Sequence, residues 1–437
     1  MNEIRYENLS DFVISQAKMV IYNFVGGSIP ASNEDLALAE RRVWDEFGGE
    51  QICSVLGQKG KTSVIAAAGI NSSMMQAYYE EDCHLPTDSH PSATVVPAAL
   101  AVGQSVGASG KQVIEAVVAG IEGMSRVGKC LILPGFAAHG LRPAAINGTF
   151  GACIAAAKLL KLDDKQMTNA LGLAGNYAIG FMEWTLAGTN DYLIQCSNGT
   201  RSGIIAAYEA KQGIQGTESI LDGKYGLGCA FNQRPCDWSA MTKPIDRYEI
   251  EDIIIKAFPC CGHVLTTCQA TMELISKREL CPADIRHITI GARKKSVEFP
   301  GCNSKGPYEG KISAMSSHQF MTAACIINKG IPIAAIKNYK DKDVFELAQK
   351  IDVVVDPEID KTPVIGSRVT IEMKNGEILS NLQPRAIGLS NSGMKERLRS
   401  NAQETFPEEQ IAKLADMLEK IETIENVGEL ANLMQMY

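Results

Sequence analysis

Residues 151–160 read Gly-Ala-Cys-Ile-Ala-Ala-Ala-Lys-Leu-Leu. A helix over this stretch is almost all small and apolar, so it has to be buried on nearly every side. A chain with such a helix in its middle needs a shell of further helices around it. The first half supplies them. Residues 10–23 place Phe12, Val13, Ala17, Val20 and Ile21 on one helical face, with Gly26-Gly27-Ser28-Ile29-Pro30 read as its end. Ser32-Asn33-Glu34-Asp35 opens a helix running to about Phe47. Residues 52–56 are at most a short strand, and 62–79 are helical and rich in Ala and Met. Pro97 suits the first turn of a small-residue helix. Ser109 with Gln112, and Asp163 with Gln166, have capping-box spacing. Residues 201–210 are helical again, and loops are expected at 135–142 and 188–192.

The texture changes near residue 250. Ile253-Ile254-Ile255 is β-branched, as are 285–291, 351–355 and 367–373, and Lys374-Asn375-Gly376 has the composition of a hairpin turn. Helices are expected at 260–277, 315–328 and 342–350. The fold class that follows is mainly α: an almost all-α first half followed by a separate α+β module. The segment from about Pro282 to Ser380 should form a compact α+β module whose sheet takes no strand from the first half. After Gly393 the chain returns to helix and is expected to pack back on the first domain.

Composition closes off several classes. A length of 437 residues predicts two or three domains. The formal net charge of −8, with no basic tract, argues against nucleic acid. No apolar run approaches a membrane span. The start, Met1-Asn2-Glu3-Ile4-Arg5, lacks a secretory signal, so the 13 cysteines are expected to be reduced and cytoplasmic. Residues 107–111 lack phosphate-loop spacing and no Gly-x-Gly-x-x-Gly follows a strand, so no nucleotide cofactor is predicted.

Chemistry concentrates at 81–92, Glu-Asp-Cys-His-Leu-Pro-Thr-Asp-Ser-His-Pro-Ser. His84 and His90 can transfer protons near neutral pH. Asp82 can hold a proton or orient a base, and Cys83 adds a thiol. An ordinary surface loop with a helix cap is the competing reading. Lys256, at the end of an apolar strand, either reaches solvent or points into a cleft, where it could bind a carboxylate. Arg142 and Arg201 sit beside Gly-rich polar stretches and suit bidentate carboxylate binding. Cys260, Cys261 and His263 are soft ligands close together, but no second ligand cluster has zinc spacing, so no metal is expected there.

Taken in order, several phrases resemble the MmgE/PrpD family: Asp82-Cys83-His84-Leu85-Pro86 through His90-Pro91-Ser92 with Pro97-Ala98-Ala99-Leu100-Ala101; Asn147-Gly148-Thr149-Phe150-Gly151-Ala152 with Ala170-Leu171-Gly172-Leu173-Ala174; Arg201-Ser202-Gly203; and Lys256-Ala257-Phe258-Pro259-Cys260-Cys261-Gly262-His263. The resemblance implies a large all-α helical domain of residues 1–264 and 394–437 with an inserted smaller α+β lid domain at 265–393, and a homodimer with a cofactor-free site between the two domains. It places His90 and Lys256 at the family's site histidine and lysine, and Asp82 at one of its acids. Tyr79 stands where an aspartate is usual, Cys83 for a threonine, Arg142 for a histidine, Tyr192 for a lysine and Phe320 for a tyrosine. The implied activity is a lyase acting on a small di- or tricarboxylate by proton transfer next to a carboxylate, 2-methylcitrate dehydratase-like by default. A decarboxylase or epimerase of the family, or a non-catalytic metabolite binder, is the alternative. His90, Asp82 and Lys256 would be catalytic. Arg142, Arg201, Cys83, His84, Tyr79 and Tyr192 would bind substrate.

Overall fold

Side-chain caps set the helix starts. A computed structural model describes residues 1–133 and 136–436 of the chain; the expected loop from Gly135 begins, and the C-terminal stretch ends, outside these residues. Ser109 Oγ accepts from Gln112 N at 3.3 Å, while Gln112 Oε1 accepts from Ser109 N at 2.9 Å. Asp163 and Gln166 make the same reciprocal pair. Each box satisfies two helix-end amides.

The helices of the first half are α1 (Asp11–Ser28), α2 (Asp35–Phe47), α3 (Val64–Gln76), α4 (Val95–Val106), α5 (Gly110–Leu131), α6 (Pro143–Leu159), α7 (Asp164–Tyr177), a short α8 (Trp184–Ala187) and α9 (Asp191–Lys211). Helix α6, the small-residue stretch, lies at the centre and packs against α4, α5, α7 and α9. Every residue from Pro143 to Ala157 is buried. Three expectations need correction here. Helix α1 does not stop at Gly26-Gly27 but runs through them, because both are points of close approach: a Cβ on Gly26 would lie 3.3 Å from Leu398 Cα, and one on Gly27 2.9 Å from Met75 Cε. Phe12 is not on the buried face; it is 53% exposed, one residue off the stripe Val13, Ala17, Val20, Ile21. Tyr192 is not in a loop but in the first turn of α9, which is continuous through Asn198-Gly199-Thr200.

Of the short strand at 52–56, only β1 (Cys53–Ser54) forms, paired with β2 (Lys61–Thr62). Strand β3 (Asp82–His84) pairs antiparallel with β4 (Ile253–Ile255), so the polar stretch that looked like a loop is half of a two-stranded clasp. The remaining strands are β5 (Ile285–Ala292), β6 (Ile351–Val355), β7 (Ser367–Met373) and β8 (Ile378–Gln383), in the order β6-β5-β7-β8. β5 and β6 are parallel and the other pairs antiparallel. All four come from residues 285–383. Helix Leu265–Lys277 lies on β7 and β8, and helix His318–Asn328 packs on that helix. The expected helix at 315–328 is broken at Ser317, whose Oγ caps the second segment by accepting from Phe320 N at 3.0 Å. Helices fill 58% of the chain and strands 9%, so it is mainly α. One continuous apolar core runs from α6 into this sheet. Helix Asn391–Ala402 packs on α1, and the last, Gly428–Leu433, on α4. Among the described residues no helix is long and apolar enough to cross a membrane.

Candidate active site

The clasp builds the site. Its register, Asp82 opposite Ile255 and His84 opposite Ile253, sets Lys256, just after β4, beside Glu81, just before β3. Lys256 Nζ donates to Glu81 Oε1 at 2.6 Å, with both side chains fully buried. Burial alone would lower the Lys256 pKa; the Glu81 carboxylate outweighs it and keeps the ammonium charged above the usual lysine value. Arg397, from the C-terminal helices, pins the clasp by donating to the carbonyls of Glu80 and Lys256 at 3.2 and 2.7 Å.

From β3 the chain reverses at once. His84 and Ser89 exchange backbone hydrogen bonds around a turn in which Asp88 is left-handed, at φ 47°. That reversal returns His90 to β3, where its Nδ1 lies 2.7 Å from the Asp82 carbonyl and 3.5 Å from Glu81 Oε1. A carbonyl can only accept, so Nδ1 carries the proton and Nε2 is the basic nitrogen. Burial, and next the Lys256 charge, hold the His90 pKa well below its ordinary value, so the imidazole is neutral.

One cavity of about 70 Å³, room for several waters, is lined by Tyr79, Cys83, His84, His90, Arg142, Tyr192 and Lys256. Trp184, Met182, Cys261, His263 and Ile365 also line it. The lining thus combines the helical first half with residues beyond 258. Tyr79 leaves α3 at φ 53°, a left-handed conformation rare for a bulky residue, and its ring comes 5.0 Å from Lys256 Nζ. Arg142 lies over the rings of Tyr192 and Trp184, 4.0 and 5.7 Å from their centroids. It donates to the Tyr192 carbonyl and, at 2.6 Å, to Gln76 Oε1. It is buried, and no carboxylate among the described residues pairs with it. Trp184 Nε1 and Glu81 Oε2 are also buried without a hydrogen-bond partner.

Two predicted residues lie elsewhere. Asp82 does not line the cavity. It is fully buried, and its Oδ1 accepts from Ser92 N at 2.9 Å and Ser92 Oγ at 2.7 Å. Burial pushes its pKa up to about 7 against those hydrogen bonds. Its carboxyl is taken up by Ser92, so it braces the segment that carries His90. Arg201 is not at the cavity at all. Its guanidinium pairs with buried Glu40, lies 4.6 Å from the Trp44 ring centroid, and fills the space over Gly69. Its Gly-rich surroundings are helix-packing surface rather than a ligand loop. Phe320 is also a core residue, packed on Tyr308. His84 lines the wall but is engaged, by Thr87 Oγ1 at 2.7 Å and Glu249 Oε2 at 3.2 Å.

Cys260, Cys261 and His263 do not converge. His263 Nδ1 meets Ser296 Oγ at 3.2 Å, and Cys261 faces Cys302. Among the described residues, the side chains that do converge are His84, Glu249 and Asp252. Lys129 already holds Glu249 at 2.6 Å, and Arg247 holds Asp252 at 2.7 Å. Sequence reasoning missed Glu81, Trp184 and Arg397. Period-two alternation could have found Glu81, since a strand through 81–84 sets Glu81 and Cys83 opposite to Asp82.

Family models for the MmgE/PrpD N-terminal and C-terminal domains match residues 1–237 and 258–423. The chain belongs to the MmgE/PrpD family. Among characterised relatives of this MmgE/PrpD protein, a cis-aconitate decarboxylase of Aspergillus terreus is 23% identical over 98% of this chain and 93% of its own. The human cis-aconitate decarboxylase is 22% identical over 99% and 92%, and the mouse one 23% over 99% and 91%.

Proposed function

We propose that this MmgE/PrpD protein is a lyase that releases CO2 from a small unsaturated di- or tricarboxylate. The observation that carries the substrate class is Arg142, a buried guanidinium on a cavity wall with no carboxylate among the described residues to neutralise it. Such a charge is costly unless an anion meets it, and its fork suits a carboxylate. The reaction type is supported by the decarboxylase relatives, which align over nearly the whole chain. They move the weight from the dehydration first expected to decarboxylation.

The chemistry needs one proton. When the leaving carboxylate sits one carbon from a C=C bond, the breaking C–C pair becomes the new double bond. The old π pair then takes a proton at the far carbon. Free His90 is neutral and has none to give at Nε2. A bound polyanion reverses that: its charge offsets Lys256 and raises the His90 pKa. Substrate binding therefore loads His90 with the proton it delivers. Arg142 holds a retained carboxylate. The carboxylate that leaves is placed against the apolar wall of Trp184, Met182 and Ile365, where an anion is penalised and neutral CO2 is not.

A second reading rests on that same neutral His90. In the free protein its Nε2 is already a base, fit to remove a proton next to a carboxylate and start water elimination or epimerisation. The test is to incubate the protein in D2O with cis-aconitate, 2-methylcitrate and related acids and follow each by NMR. CO2 release with one deuteron in the product supports the decarboxylase. Elimination of water, or deuterium exchange without CO2, replaces it with the second reading. Ligands that raise Tm with no turnover of any acid would leave a metabolite-binding protein.

A further inference from the structure

The proton chemistry uses no thiol, yet Cys83 and Cys261 both line the cavity. Burial pushes Cys83 up and keeps it protonated. Cys261 is different. The sulfur of Cys302 lies 3.9 Å from its own. By donating its proton, Cys302 favours Cys261 as the thiolate; burial opposes this, and the Lys256 ammonium and the His263 backbone N–H assist it. Cys302 is correspondingly held as a thiol. Access is also unequal. Cys261 is partly exposed on the cavity wall, while Cys302 is fully buried behind it. A nucleophilic, reachable sulfur beside a sheltered second one is the arrangement of a thiol pair that oxidises in two steps.

We propose that Cys261 and Cys302 are an oxidative modification site in the cavity wall, with Cys261 attacking a hydroperoxide and Cys302 resolving the product to a disulfide. In the first step the Cys261 thiolate takes an oxygen from the peroxide. With hydrogen peroxide the O–O bond breaks, the sulfur is oxidised to sulfenic acid, and the distal oxygen leaves as hydroxide, which takes a proton from solvent to become water. In the second the Cys302 sulfur attacks that sulfenic sulfur; the S–S bond forms, the S–O bond breaks, and the hydroxyl leaves with the Cys302 proton as a second water. Closing the bond brings the sulfurs from 3.9 Å to about 2 Å. That draws Cys261 away from the cavity and removes its negative charge from the neighbourhood of Lys256.

The full-length reduced protein, treated with stoichiometric hydrogen peroxide, quenched with N-ethylmaleimide in acid and digested, gives the answer by peptide mass. The expected product is a peptide pair joined through Cys261 and Cys302, lighter by two hydrogens. In Cys302→Ser the sulfenic acid has no resolving partner and should be trapped at Cys261 by dimedone. In Cys261→Ser, Cys302 should stay reduced. The proposal is overturned if Cys261 and Cys302 are both recovered alkylated while exposed Cys281 oxidises, or if Cys261 is found bonded to another cysteine.

Discussion

Arg142 and Arg201 are both buried arginines beside glycine, and they should respond to mutation in opposite ways. Arg201 neutralises Glu40, and each side chain is only 7% exposed. Arg201→Ala strands a buried carboxylate and should cost about 3–5 kcal/mol of stability, leaving carboxylate affinity of the remaining folded protein unchanged. Arg142 has no acid among the described residues to strand. Arg142→Gln should keep or raise Tm while weakening carboxylate binding by 2 kcal/mol or more, roughly thirtyfold. Urea melts and calorimetric titrations of the two variants check this; a large loss of stability in Arg142→Gln would refute the reading. His90→Ala should lower turnover about a hundredfold or more with little change in Tm. Because His90 is neutral until an anion arrives, ligand binding near pH 7 should take up a proton from buffer. Calorimetry in buffers of different ionisation enthalpy measures that uptake, and it should vanish in His90→Ala.

At the scale of elements, the helical half is held by glycines used as contact surface. A Cβ on Gly203 of α9 would lie 2.5 Å from Thr149 O of α6, and one on Gly120 of α5 would lie 2.7 Å from Gly151 O. Gly203→Ala should therefore destabilise the protein by about 1–3 kcal/mol through overpacking, although alanine is the better helix former. A chemical-denaturation midpoint shifted upward would contradict it. The same dual nature of glycine explains what could be read from sequence. Helix starts were legible because Ser109, Gln112, Asp163 and Gln166 act within one turn. Gly26-Gly27 was misread as a stop because the surfaces it admits, Leu398 and Met75, are remote in the chain. The strands of the sheet were legible from β-branched runs, whereas β3, three residues long, is too short for periodicity to separate from a loop. In the site, His90, Lys256 and Arg142 could be found by residue type and family position. The roles of Asp82 and Arg201 depended on Ser92 and on Glu40, the latter 161 residues away, and no local pattern encodes that pairing.

For the whole molecule, buried ionisable groups set the response to acid. His318 and His263 are buried, which depresses their pKa values to about 3 and about 4. Between those values and 6.5 the unfolded chain binds protons that the folded protein refuses, so stability falls as pH drops through this window. Asp82 acts in the opposite sense. Its folded carboxyl keeps a proton up to about pH 7, whereas the unfolded one releases it near 3.8, so its contribution favours the folded state at the acid end and is lost as pH rises towards 7. His318→Gln should flatten the acid-side loss by up to about 1.4 kcal/mol per pH unit, and Asp82→Asn should steepen it by a similar amount. Urea midpoints measured from pH 4 to 7 would show the two slopes moving apart.

The Lys256–Glu81 contact spans 175 residues of chain. Closing a loop of that length costs about 4–5 kcal/mol in chain entropy, before any contact rewards it. During synthesis Glu81 emerges long before Lys256, and the partner strand for β3 does not yet exist. The amino-terminal half thus carries, for many seconds at ordinary translation rates, an acid meant for a dry interior and no cation to accompany it. The cavity is consequently a late product of folding. A ribosome-bound chain stopped short of residue 253 should hold its helices while the 81–92 segment stays open to proteases, so the cavity is withheld until the polypeptide is more than half made.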